Sequence, residues 1–134
     1  MTITAMREAI ATNLATISGL RTSAYVPDNP TPPIAVVVPS RTDYDMAFHR
    51  GMDSFNFQII LIGHRVSERN AQSSLDAFIN SSGATSIKQA VESSNTLGGS
   101  AFDIRVTEMS NYGPLAIGET QYLSATFSVS VIAN

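Results

Sequence analysis

Asp43-Tyr44-Asp45 is the first pattern in this chain whose residue types could do chemistry. Two carboxylates one residue apart can hold a divalent cation, and an imidazole could complete the site. The chain has two histidines, His49 and His64. No ligand spacing ties either one to the aspartates. Carboxylates in such a loop are more simply solvated or paired with arginines, here Arg41 and Arg50. Gly98-Gly99-Ser100 lacks the second half of a nucleophile elbow, and there is no glycine-rich phosphate loop and no H-E-x-x-H. Cysteine is absent, which removes disulfides, thiol catalysis and thiolate metal sites. Arg65 and Arg69, four apart, are expected on one helix face, where they could meet an acidic partner or simply be solvated. Asn80-Ser81-Ser82 fits a glycosylation sequon, but nothing directs the chain to a secretory route. No catalytic residue, metal ligand or cofactor is expected, and the reading is not an enzyme.

Composition narrows the alternatives. The chain has 134 residues, enough for one domain with a core and too few for two. With 43% apolar residues it belongs with soluble globular chains. Its net charge of −3 argues against non-specific binding to nucleic acid. The cations are Lys88 and seven arginines without a cluster. Residues 1–20 do not resemble a signal peptide, because Arg7 and Glu8 interrupt them and the apolar positions fall at helical spacing. No run is long enough for a membrane-spanning helix, so no membrane partner is expected and synthesis in the cytosol is the default.

The positioning elements follow from periodicity. Met6, Ile10, Leu14 and Ile17 step as an amphipathic helix, with Thr4 as a plausible cap and Gly19 as the stop. A short strand is expected over residues 22–26. The prolines of residues 27–33 form a stiff turn, and Ile34 to Val38 reads as a short buried strand bounded by Pro33 and Pro39. Phe55, Phe57, Ile59 and Leu61 alternate with Asn56, Gln58, Ile60 and Ile62, which predicts a long central strand. One face of that strand is wholly apolar. The other becomes apolar at Ile60 and Ile62, so that end is expected to be covered on both sides by its own chain or a neighbour. Gly63 and His64 end the strand. Ser67 and Glu68 open a helix whose stripe is Ala71, Leu75, Phe78 and Ile79. Ser86 and Gln89 form a capping box for a short helix carrying Ile87, Ala90 and Val91.

Phe102, Ile104 and Val106 alternate with polar residues in a further strand, which Asn111, Tyr112, Gly113 and Pro114 punctuate. Gly118-Glu119 is expected as a tight hairpin turn. In the last strand Leu123, Ala125, Phe127, Val129 and Val131 face one way, and Ser124, Thr126, Ser128 and Ser130 the other, which fixes its register.

The fold class is therefore α+β: a mainly antiparallel sheet of four to five strands, helices on one face, and an arm between two strands over about residues 40–52. The arm holds Arg41, Asp43, Tyr44, Asp45, Phe48 and Arg50. A connection this long and charged is either a surface arm that contacts something or an extended hairpin running past the sheet. The arm, the doubly apolar strand end and the seryl face of the last strand all favour an interaction protein.

Several stretches together resemble the tail terminator family of long-tailed bacteriophages, of the lambda type. They are ATISGLRTSAYVPDNPTPPIAVVVP (15–39), YDMAFHRGMDSFNFQIILIGHRVSERNAQSSLDAFI (44–79), SIKQAVESSNTLGG (86–99) and IRVTEMSNYGPLAIGETQYLSATFSVSVIA (104–133). The resemblance covers nearly the whole chain, and its motifs are structural. Other small neck and head-completion proteins of these phages share the same build. The resemblance implies a non-enzymatic virion protein, made in the host cytoplasm, that closes into a homo-hexameric ring on the head-proximal end of the tail. There it would cap the tail tube protein, stop tube polymerisation and offer a surface to a head connector or neck protein. Genomic DNA would pass through without specific binding. The residues proposed for the subunit interface, Arg41, Asp43, Tyr44, Asp45, Phe48 and Arg50, come from the loop's own chemistry and not from the family. A sheet edge is the alternative contact. The rival readings are another head–tail joining protein or a small metal-dependent enzyme using Asp43, Asp45 and a histidine.

Overall fold

A computed structural model of the chain describes residues 3–17, 20–23, 33–43, 53–65, 71–80, 83, 86–92, 103–117 and 119–133. The elements run α1 (Ile3–Leu14), β1 (Arg21–Ser23), β2 (Ile34–Asp43), β3 (Asp53–Arg65), α2 (Ala71–Ile79), α3 (Ile87–Glu92), β4 (Asp103–Ile117) and β5 (Thr120–Ala133). The class is α+β. The five strands form one sheet in the order β1-β2-β3-β5-β4. Only β1 to β2 is parallel; the other three ladders are antiparallel, so the sheet is mixed. β5 inserts between β3 and β4, and α2 and α3 lie in the connection that carries the chain past it.

The strands pair so that apolar residues share rows. Val37, Ile59, Phe127 and Met109 stand in one row, and Pro39, Phe57, Val129 and Val106 in another. Against these rows pack Met6, Ile10 and Leu14 from α1, Leu75 and Phe78 from α2, and Ile87, Ala90 and Val91 from α3. The 3.6-residue period of the helices and the two-residue period of the strands meet here in one core. All three helices contribute to this single cluster, on one face of the sheet. Ile17 also belongs to it, although α1 ends at Leu14: a tight turn bonded from Ile17 N–H to the Leu14 carbonyl, 3.0 Å, carries it in. The Asn13 amide donates to the Val91 carbonyl, 3.2 Å, tying α1 to the end of α3.

The structure lengthens or shifts several expected elements. β2 does not stop at Val38; it continues through Pro39 to Asp43, with a bulge between Pro39 and Arg41. A proline is tolerated because Val37 and Pro39 turn their backbone groups away from β3, as the Arg7 guanidinium donating to the Val37 carbonyl at 3.4 Å indicates. β3 runs on past Gly63 and His64 to Arg65, which pairs with Tyr122, so Arg65 lies on a strand and not on a helix face. β4 is one strand of 15 residues, where two segments with a break were expected. Its punctuation is absorbed by bulges at Val106/Glu108 and Ser110/Gly113, and Asn111 adopts φ 56° in the second. Thr4 sits inside the first turn of α1 rather than at its cap. Gly19, Ala24 to Val26, Ser67, Glu68, Arg69 and Gly98 to Ser100 lie outside the described residues.

Candidate interaction surface

The residues expected to form an interface are only partly placed. Arg41 and Asp43 are in β2, opposite Asn56 and Ser54 of β3, so the start of the expected arm belongs to the sheet. Arg41 is exposed. Tyr44, Asp45, Phe48, Arg50 and His49 lie outside the described residues. His64 is half-buried near the opposite end of β3. Asp43 pairs with Ser54, ten residues from His64, a separation of about 33 Å along a strand. Two positions so far apart along the sheet do not form one ion site. Among the described residues no group of three or more His, Cys, Asp or Glu could hold a metal.

The polar groups on and beside the sheet edges serve internal bonding. Glu92, at the end of α3, accepts the Val106 backbone N–H at 2.9 Å and both Lys88 contacts, at 2.7 and 2.8 Å. Burial raises the Glu92 pKa, but the bonds from Lys88 and Val106 and the positive charges of Lys88 and Arg105 outweigh it, leaving the carboxyl below its ordinary value. Tyr112 donates to an Asp76 carboxylate oxygen, 3.2 Å, which holds β4 to α2. Ser86 caps α3 as expected, taking the Gln89 N–H at 3.1 Å. The Gln89 side chain does not return to the Ser86 N–H; its oxygen accepts from Gly83 N–H, 2.9 Å. The capping box is thus widened by a loop residue.

Each long edge is interrupted. β1 pairs with β2 only from Ile34 to Val36; beyond it lie the Arg7 contact at Val37, Pro39 and the adjacent bulge. On β4 the Glu92 contact, the two bulges and Pro114 interrupt the free edge of an otherwise continuous strand. Prolines, bulges and inward-reaching charges are how edge strands avoid pairing with another sheet. This weighs against a continuous sheet edge as the contact between copies.

The helix-free face of the sheet has two halves. Ile34, Val36 and Ile62 are buried there, with Val38, Ile60 and Tyr122 packed beside them. This is the doubly apolar strand end read from Ile60 and Ile62. The other half holds Asn56, Gln58, Ser128 and Ser130, all half-buried. The seryl face of β5 is as expected, and Ser124 bonds to the Gly113 carbonyl at 3.2 Å.

The β4–β5 hairpin closes between Ile117 and Thr120, where the sequence places it; what sequence reasoning missed is that its apolar flank is exposed. Its ladder continues through Ala116–Gln121 to Ile117–Thr120, two pairs beyond the row of Arg65, Tyr122 and Leu115 at which β3 ends. Pro114, Leu115 and Ala116 are exposed there. Among the described residues the large apolar side chains exposed at the surface are Ile3, Met109, Tyr112 and Leu115, and three of these four lie on β4. The signal was in the sequence, as apolar residues flanking a two-residue turn, but it reads equally as a buried hairpin. No family model matches the chain, and no curated protein matches it.

Proposed function

We propose that this chain is a structural subunit of a phage tail, a tail terminator whose work is contact with copies of itself and with the tail tube. The resemblance over nearly the whole chain supplies the identity of the assembly. The observation that carries an interaction role is the run of exposed residues Pro114, Leu115 and Ala116 beside the β4–β5 turn. Monomeric proteins scatter exposed apolar residues singly, and three in succession on one strand favour a protein contact. The net charge of −3 also suits a subunit beside passing DNA, since phosphates are held where arginine and lysine gather.

The test is polymerisation of tail tube protein with and without this chain, with tube lengths measured by electron microscopy. Short tubes bearing a ring at one end are expected. An unchanged length distribution counts against the terminator reading. Binding to head connector or neck protein without any effect on tubes would assign the chain to another head–tail joining role.

A further inference from the structure

We infer that Glu92 is a guard on the sheet edge: its carboxylate occupies the stretch of β4 that the edge of a second copy would otherwise join. β4 is an outer strand of the sheet, with β5 on its inner side. Beyond Val106 its outer edge is spoiled by two bulges and by Pro114, which has no N–H to offer. From Asp103 to Val106 there is neither bulge nor proline, and each residue stands opposite one of β5. A regular outer stretch of this kind is a template for a further strand. Glu92 closes it. The Val106 N–H donates to the Glu92 carboxylate at 2.9 Å, so it is directed away from β5, to the side where an added strand would place a carbonyl. Lys88, one helical turn back, holds the carboxylate in place with contacts of 2.7 and 2.8 Å. These are the two charged residues of α3, and both serve this contact. An arriving strand must displace a charge-assisted bond and enclose an ion pair, and both steps are costly.

The opposite edge repeats the device with the sign reversed. β1 covers β2 as far as Val36, and the next carbonyl, that of Val37, accepts from Arg7 of α1 at 3.4 Å. Each guard stands on a helix, carries a charge and takes a backbone group that faces away from the neighbouring inner strand. At β4 the strand kept out is the same stretch of another copy. An antiparallel pair needs donors and acceptors on both sides, and two β4 edges related by a two-fold axis supply them to each other. The inference does not depend on the terminator reading, because it concerns a contact that copies of the chain are built not to make.

Glu92→Ala tests this, with Leu75→Ala as its control. Leu75 is fully buried in the core, so its truncation destabilises the fold while leaving the guard in place. In dilute protein the Val106 amide hydrogen should exchange about tenfold faster in Glu92→Ala than in wild type. At about 1 mM that amide should become protected again, and sedimentation should show self-association about tenfold tighter than wild type. Loss of protection on dilution and its return on concentration mark a strand joining the edge, which a merely stabilising role for Glu92 would not produce. Unchanged Val106 exchange in Glu92→Ala overturns the proposal. So does faster exchange with no tighter association, and so does Leu75→Ala associating as strongly as Glu92→Ala, which would trace the effect to lost stability. No tail tube protein is present, so the guard and the terminator role can fail separately.

Discussion

On the helix side of the sheet, Phe57 and Val129 stand opposite each other on β3 and β5 and are each 1% exposed. One residue along, on the other side, Gln58 and Ser128 stand opposite each other and remain half-buried. The same two strands therefore present a closed apolar layer to the helices and a small, uncharged polar layer away from them. The helix face carries the stability of the fold. The other face contributes little along its polar half, and this leaves it free to vary or to meet a neighbour without exposing a large apolar patch.

The sharpest way to test this contrast is to truncate one residue on each face. Phe57→Ala should lower unfolding free energy by about 3–5 kcal/mol, while Ser128→Ala should stay within about 0.5 kcal/mol, both read from urea denaturation. Similar losses at the two positions would mean that the outer layer is structural too. Next in size is Gly63→Ala. A Cβ at Gly63 would lie 3.2 Å from the Leu123 carbonyl oxygen and 3.4 Å from Leu75 Cδ1, where β3 passes between β5 and α2. The backbone oxygen cannot swing aside, so a loss of about 1–3 kcal/mol is expected. An unchanged melting temperature would show that the approach is looser than it looks.

The smallest expected effect is at Glu92, on the edge where the two faces meet. Its carboxyl titrates below its ordinary value in the folded protein. Its stabilisation is therefore fully present above the unfolded-state value, about 4.3, and is lost as pH falls through the lower folded-state value. Glu92→Gln should be less stable than wild type by roughly 1 kcal/mol at pH 7, and the two should converge in acid. Parallel stability curves down to pH 3 would show that the carboxylate does not support the edge.

The contrast between faces was plain in the sequence because the strand period is two: every second residue from Phe55 to Leu61 and from Leu123 to Val131 declares its side. The helices were legible for the matching reason, as Leu75 and Phe78 or Ile87, Ala90 and Val91 fall on one stripe. Interruptions were not legible. Pro39 marks the end of a strand and equally a bulge on an edge, and Asn111 to Gly113 reads as a turn and equally as a bulge that the ladder survives. Local composition is the same in both cases; only the partner strand decides. The edge contacts of Arg7 and Glu92 span 30 and 14 residues and leave no local trace. The interface residues read from the charged loop are placed only at Arg41 and Asp43, whereas the exposed apolar hairpin is assembled by register.

β5 is an interior strand of the sheet and follows all the other described elements. β3 and β4 have no ladder with each other, and each relies on residues 120–133 for its neighbour. During synthesis, then, β3 stays without a partner on that flank until residues 120–133 have emerged. The β3–β5–β4 part of the sheet cannot close before β5 is made, and a nascent chain stalled before residue 120 would present an unfinished apolar sheet to chaperones and proteases.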